Sequence, residues 1–371
     1  MQSPFSITKP ASGKSFCNRV EEKDQLKKLI SNSENILLYS HRRMGKTSLI
    51  NEVVNELKND VTAIYIDLYG TVSIDELISS VLRGVSRLET SMEKLSNFLK
   101  NKFNTFNLKF SFDLTSGAPV AIPSFATENR IPALEEVFGF LKNLSDKNKL
   151  LVVFDEFQEV ATYSDSEVFE KKLRSYIQWH ENVSYLFAGS QKSLLVEMFT
   201  DVKRAFYRQA VPVSLARISG KHYADWIADL YFESGRRIDK EVINDVVNRC
   251  DKHPMYIQEF FALLWDENQI SQNIVDSVEM MIIKRRQSEF SAIWDTLTLN
   301  QRKTVKLLAR TRGKDIFTAE NLSRNGLKAA SQVIASLKVL EKREIVSKNS
   351  VYFIANPMLL RWMQNELLEL D

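Results

Sequence analysis

Apolar residues in this chain fall into two alternating patterns. Short runs at residues 36–39 (ILLY), 61–67 (VTAIYID), 150–154 (LLVVF), 183–187 (VSYLF) and 210–215 have the length and composition of strands. Between them apolar positions recur at helical spacing, as at Leu49, Ile50, Val53, Val54 and Leu57, and again along 74–88 and 132–144. The run at 150–154 has no polar face, which marks a strand covered on both sides, as in parallel sheets. This alternation predicts an α/β fold with three layers around a parallel sheet. Residues 108–112 and 118–124, with Thr115-Ser116-Gly117 between them, predict a β-hairpin inserted at 107–125. Residues 1–15, with two prolines and a glycine, are expected to form an extended arm. A first domain over 1–217 is therefore followed, over 218–290, by a wholly helical pattern broken once at 250–254. The stretch 291–371 predicts three helices, a hairpin turning at Lys348-Asn349-Ser350 and a last helix, the order of a winged helix-turn-helix. On its third helix Leu327, Ala330, Ile334 and Leu337, flanked by Val333 and Leu340, are expected to face the core.

Charge changes this picture locally. Lys+Arg number 50 against 47 Asp+Glu, a net of +3, too little for the whole chain to act as a polyanion binder. Residues 298–350, however, hold twelve Lys/Arg and four Asp/Glu, a net of +8 that leaves −5 for the remainder. Clustered positive charge suits phosphate backbones. Lys328, Ser331, Gln332 and Lys338 on the third helix, with Lys348 in the wing, are the candidate DNA-contacting residues. Contact with protein alone is the other reading of a winged helix. Two cysteines (17 and 250) and four scattered histidines (41, 180, 222 and 253) make no disulfide or metal pattern, which suits a reducing cytosol. No apolar run approaches the roughly 20 residues needed to cross a bilayer, so a cytoplasmic protein with no membrane partner is expected.

The chemistry concentrates at three strand ends. After the run at 36–39 comes Ser40-His41-Arg42-Arg43-Met44-Gly45-Lys46-Thr47-Ser48, leading into a helix. It matches G-x-x-x-x-G-K-[ST] at all but the first glycine, where Ser40 stands. Backbone N–H groups of such a loop and of the helix start point at phosphate oxygens, the lysine neutralises the β- and γ-phosphates, and the threonine hydroxyl ligates Mg²⁺. Serine disfavours a positive φ, so a tighter or differently turned loop is expected at position 40. The run at 150–154 ends in Asp155-Glu156, adjacent carboxylates of which the first suits a role beside Mg²⁺ with Thr47 and the second a general base for the attacking water. The run at 183–187 leads to Ser190 and Gln191, the candidates for sensing the γ-phosphate from a strand tip; a polar turn is the other reading. Arg204 and Arg208, just before the run at 210–215, are arginine-finger candidates; a solvated or carboxylate-paired arginine is the other reading of both. No N-K-x-D base-reading motif is present, so ATP is favoured over GTP.

With these residues in place, the chain resembles archaeal-type ATPases of the signal-transduction (STAND) branch of AAA+-like P-loop NTPases. Phe16-Cys17-Asn18-Arg19 with Glu21-Glu22 is similar to the family's F-x-G-R-x-x-E, with Asn18 in place of glycine. Arg42-Arg43 before Gly45-Lys46-Thr47-Ser48-Leu49 and the sequence Asp155-Glu156-Phe157-Gln158 resemble its phosphate loop and acid motif, and Gly189-Ser190 its sensor strand. Lys252-His253-Pro254 resembles its lid motif G-x-P, with lysine where glycine is usual. The resemblance implies a P-loop NTPase domain with a helical lid and a winged helix. It also implies ATP/ADP with Mg²⁺ as cofactors and adenine contacts near Arg19 and Pro254. An ATP-hydrolysing switch acting on DNA, on a protein partner or on further copies of the chain is the function expected. A nucleotide-stabilised scaffold with negligible turnover is the alternative.

Overall fold

The apolar runs form one parallel sheet. The computed structural model describes residues 3–114, 116–124, 129–190, 192–267 and 269–367. Its strands are β1 (Ile36–Tyr39), β2 (Val61–Asp67), β3 (Asn107–Phe112), β4 (Pro119–Ser124), β5 (Lys149–Asp155), β6 (Val183–Gly189), β7 (Val211–Ser214), β8 (Val346–Lys348) and β9 (Tyr352–Ile354). Five of them make a sheet in the order β2-β5-β6-β1-β7, every pair parallel. The chain runs outward from β1 to β2, returns through β5 and β6, and then crosses to β7. The carboxyl ends of β1, β5 and β6 therefore lie side by side where the strand order reverses, the place where open α/β sheets bind ligands. Under that edge the core is aromatic: Phe154 stacks on Tyr185 and Phe187 of β6 with centroids 6.2 and 6.0 Å away. The inserted hairpin is present as β3 and β4, paired antiparallel in a sheet of their own from Asn107↔Ser124 to Phe112↔Pro119.

The chain divides into two compact units. One comprises residues 19–42 and 46–216; the other comprises residues 1–18, 43–45 and 217–371. In the second unit the amino-terminal arm is anchored, because Phe5 is buried against Trp226, Phe261 and Trp265 with centroids 5.4–5.7 Å apart. Burial of this ring, with the Ser6 N–H donating to Gln258 Oε1 (2.9 Å) and Gln258 Nε2 to the Ser15 carbonyl (2.6 Å), offsets part of the entropy of ordering the segment. Helices Gly220–Glu233, Lys240–Arg249, Pro254–Leu264, Gln272–Arg285 and Gln287–Asp295 follow. The seam expected at 290 falls inside the last of these helices. Lid and winged-helix residues share one buried cluster. Glu279 of the lid binds Arg249 (2.6 Å) and Arg361 of the carboxyl-terminal helix (3.1 Å), while Phe290 packs on Trp362 at 6.0 Å.

The winged helix consists of helices Leu299–Thr311, Ala319–Arg324 and Ala330–Lys342, the β8–β9 wing and helix Pro357–Glu366. Thr298 and Gln301 make a capping box at the first of these. The third helix corrects the sequence reading in two ways. It starts at Ala330, so Lys328 precedes it, and its buried residues are Val333, Ser336, Leu337 and Leu340. Ile334, expected in the core, is 57% exposed.

Candidate nucleotide site

Asp155, the last residue of β5, is buried at the sheet edge. Its Oδ1 accepts from the Glu156 backbone N–H (3.0 Å), and its Oδ2 accepts from the Tyr65 hydroxyl of β2 and from Thr47 Oγ1 (3.3 Å). Burial raises the Asp155 carboxyl above the ordinary carboxylate range; the Tyr65 hydrogen bond opposes this, the Glu156 charge adds to it and Lys46 opposes it again. A carboxylate and a threonine hydroxyl within hydrogen-bond reach are both oxygen donors suited to a hard cation. The pair Thr47 and Asp155 therefore fits Mg²⁺ held with a nucleotide.

The loop before Thr47 has the shape its sequence requires. Arg43 (φ 62°) and Gly45 (φ 88°) take left-handed backbone, and Gly45 supplies it without strain. Ser40 has no positive φ, so the missing glycine is not a missing conformation. Its hydroxyl donates to the His41 carbonyl (3.0 Å) and accepts from Lys46 Nζ (3.4 Å), which fixes the buried lysine at the start of helix Lys46–Leu57. Met44 and Ser48 are buried, His41 is half-buried, and Arg42 and Arg43 are exposed.

Glu156 sits in left-handed backbone (φ 55°), an arrangement that costs a non-glycine residue about 1–2 kcal/mol. Its Oε2 accepts from the Ser190 backbone N–H (3.1 Å), from Ser190 Oγ (2.9 Å) and from Gln158 Nε2 (2.5 Å). The acid and the sensor serine, separate candidates in the sequence, thus form one cluster. Gln158 is buried against Gly189, where an added Cβ would come within 2.0 Å of Gln158 Oε1. The glycine of the sensor strand is what makes room for the amide.

Other candidates fall elsewhere. Gln191 lies outside the described residues. Arg204 donates through Nε to Glu170 Oε2 (3.1 Å) and through a guanidinium nitrogen to Glu170 Oε1, a two-point pair with a buried carboxylate. This is the carboxylate-paired arrangement, and unpairing Arg204 would strand the buried Glu170. Arg208 lies over the Tyr207 ring at 5.1 Å. Arg19 is buried and donates to Glu22 Oε1 and to the Ala216 carbonyl, both at 2.6 Å. Pro254 is the first residue of its helix. Asn18 (φ 54°) and Lys252 (φ 57°) both take left-handed backbone, a conformation that glycine adopts without strain. In the winged helix Gln332 is used locally, its Oε1 accepting from the Lys328 N–H (2.8 Å). Lys328, Ser331 and Lys338 are exposed, and Lys348 lies 4.9 Å from the Tyr352 ring centroid.

Tyr65, Gln158 and Glu170 were not among the expected site residues. The signal for Tyr65 was one phenol on an otherwise small and aliphatic strand, two residues before its last acid.

A family of ATPase domains found predominantly in Archaea matches residues 16–260. The chain belongs to this ATPase family. A probable winged helix domain matches residues 288–365. Among curated proteins none matches the chain. A Walker-type ATPase of Pyrococcus abyssi is similar in structure, with TM-score 0.73 and 19% identity over 98% of this chain and 100% of that one. The ORC2 protein of Aeropyrum pernix, in ADPNP–ADP complexes, gives 0.58 and 14% over 94% of each chain. The ORC1 protein of the same organism, in complex with DNA, gives 0.51 and 13% over 98% and 96%. At such identities the likeness shows the fold: a P-loop ATPase sheet followed by a winged helix. Among the described residues no helix is long and apolar enough to cross a membrane.

Proposed function

We propose that the chain is an ATP-hydrolysing switch of the STAND type whose nucleotide state is read out through the winged helix. The observation that carries this is the contrast between the two adjacent acids. Asp155 faces Thr47, and Glu156 is turned by its left-handed backbone onto Ser190. In this reading the 40–48 loop and Lys46 hold the phosphates, while Thr47 and Asp155 hold Mg²⁺, which when bound supplies charge neutralisation at the phosphates. Arg19 serves the nucleoside end. Glu156 takes the proton of the attacking water, and it reaches that water by exchanging its hydrogen bonds to Ser190 and Gln158. Ser190 is thereby a sensor in both directions, because a γ-phosphate that engages its hydroxyl releases the base. The winged helix shares its core with the lid, so a nucleotide-driven change in the lid carries it along. DNA, a protein partner or another copy of the chain receives that output.

The test is a pair of variants. Lys46→Ala is expected to lose ATP binding, and Glu156→Gln to bind ATP but lose turnover. Equal hydrolysis by the parent and Glu156→Gln would remove Glu156 from its role. The second reading, a nucleotide-stabilised scaffold with negligible turnover, draws support from the three hydrogen bonds that occupy Glu156. It predicts ATP binding with no phosphate release in the parent protein.

A further inference from the structure

The Tyr65 phenol has no part in the function proposed above, yet it reaches the acid on which that function turns. Strands β2 and β5 run parallel with Asp67 opposite Asp155 and Tyr65 opposite Val153. Two residues of strand rise roughly 6.6 Å, about the reach of a tyrosine side chain, so the hydroxyl arrives at the level of Asp155. Asp67 is exposed, and its Oδ1 accepts from the Tyr69 N–H (2.9 Å). The result is a carboxylate with a donor fixed on each oxygen. The Glu156 N–H takes Oδ1 (3.0 Å) and the Tyr65 hydroxyl takes Oδ2. One donor is backbone, and the other sits at the tip of a rigid ring rooted in a strand. Only Oδ2 is within hydrogen-bond distance of Thr47 Oγ1, at 3.3 Å, longer than the roughly 2.7–2.8 Å usual between hydroxyl oxygens. That loose contact marks the side of Asp155 open to a cation. Among the described residues no group of three or more His, Cys, Asp and Glu side chains could hold a metal ion. The way this one carboxylate is presented therefore weighs heavily on which cation suits the site.

We infer that Tyr65 is a specificity-determining residue for the cation, holding Asp155 to a one-oxygen contact that favours Mg²⁺ over Ca²⁺. Mg²⁺ demands a near-ideal octahedron and keeps several waters, whereas Ca²⁺ takes about six to eight oxygens in flexible geometry and readily accepts both oxygens of a carboxylate. To present both oxygens on the Thr47 side, the Asp155 carboxylate must rotate about its Cβ–Cγ bond. That rotation pulls Oδ1 off the Glu156 N–H and Oδ2 off the phenol, leaving two donors unpaired beside a buried acid. The loss opposes a two-oxygen contact and leaves a one-oxygen contact untouched. This rests on the reading of Thr47 and Asp155 as the Mg²⁺ pair and is independent of turnover.

The test is binding of a fluorescent, non-hydrolysable ATP analogue by the full chain in MgCl₂, CaCl₂ or EDTA, with the melting temperature of every variant. The parent is expected to bind the analogue more tightly with Mg²⁺ than with Ca²⁺. Tyr65→Phe should narrow that preference about tenfold or more, the worth of one hydrogen bond to a charged acceptor, mainly by tightening the Ca²⁺ complex. Its affinity in EDTA should stay that of the parent. Tyr163→Phe removes another buried phenol, one bonded to Thr71 (2.7 Å), and should lower the melting temperature without changing the preference. This control tells a loss of packing from a change at the cation. Equal changes in Mg²⁺ and Ca²⁺ affinity in Tyr65→Phe, or no change in either, would overturn the inference. So would a parent that binds the analogue more tightly with Ca²⁺ than with Mg²⁺, whatever the variants do. Binding by the parent as tight in EDTA as in MgCl₂ would instead remove the Mg²⁺ pair itself, and the role of Tyr65 with it.

Discussion

The sheet edge around Asp155 and the cleft beside Trp294 each concentrate charge of one sign, and they handle it in opposite ways. At the sheet edge the two acids are enclosed, and Tyr65, Thr47, Ser190 and Gln158 each donate to one of the carboxylates. In the cleft Arg302, Lys303, Lys306, Arg310 and Arg324 line an open wall, and the Lys303 ammonium donates to the neutral Gly326 carbonyl. The first arrangement works in a low dielectric, where one missing partner is felt strongly and salt hardly matters. The second works through summed, screened attraction, where no single side chain dominates. A residue's importance is thus set by its enclosure more than by its charge.

The largest effect is expected at Asp155. Burial raises its carboxyl, so the folded chain keeps the proton to a higher pH than the unfolded chain does. Without a cation the fold therefore loses stability as pH rises through the ordinary carboxylate range to that raised value. Asp155→Asn should leave the ligand-free melting temperature unchanged or higher. It should also abolish the stabilisation by Mg·ATP, about 2.7 kcal/mol at a hundredfold excess over Kd. Thermal melts with and without Mg·ATP, at low and high salt, measure both. A lower ligand-free melting point with the Mg·ATP shift intact would break the comparison.

A smaller loss is expected from Tyr65→Phe. It removes one donor to a charged acceptor while Thr47 and the Glu156 N–H remain, so about 1.5 kcal/mol is expected in a urea melt, with little dependence on salt. A loss that vanished at high salt would mean that the sheet edge behaves like the open cleft.

The smallest effect at neutral pH is at His180, away from both clusters, whose Nδ1 lies 2.7 Å from the Tyr185 hydroxyl. Burial, with Lys142 adding to it, lowers the imidazole to about 4. The unfolded chain binds that proton first, so stability should fall as pH drops from about 6.5 towards 4 and stay level above. His180→Gln should flatten that part of the pH–stability curve. An unchanged curve would place the acid sensitivity in the carboxylates.

Much of this was legible in the residues, for identifiable reasons. Continuous apolar runs mark strands covered on both faces, and so the whole parallel sheet could be read. The 40–47 loop and Asp155-Glu156 could be read because their chemistry demands particular residue types at fixed spacing. Contacts between distant residues could not. Tyr65 reaches Asp155 across a strand pair, Arg204 reaches Glu170 on another helix, and Gln158 needs the bare backbone of Gly189. The third winged helix was misphased because Leu327 and Ile334 suit an apolar face as well as Val333 and Leu340 do. With Val333, Leu337 and Leu340 packed inward, Ser336 falls on the buried face and Ile334 outside it. Asn18 and Lys252, where glycine was expected, take the left-handed backbone that glycine favours, which no residue-type pattern could show.

The shared core of lid and winged helix limits how this chain can be cut. A truncation at residue 290, the seam the sequence suggests, would end midway along helix Gln287–Asp295. It would take Trp362 from Phe290 and Arg361 from Glu279, and open a continuous apolar interior to water. The winged helix is not a bead on a string. Shuffling it onto another ATPase would have to bring the lid along, so the two are best treated as a single cassette.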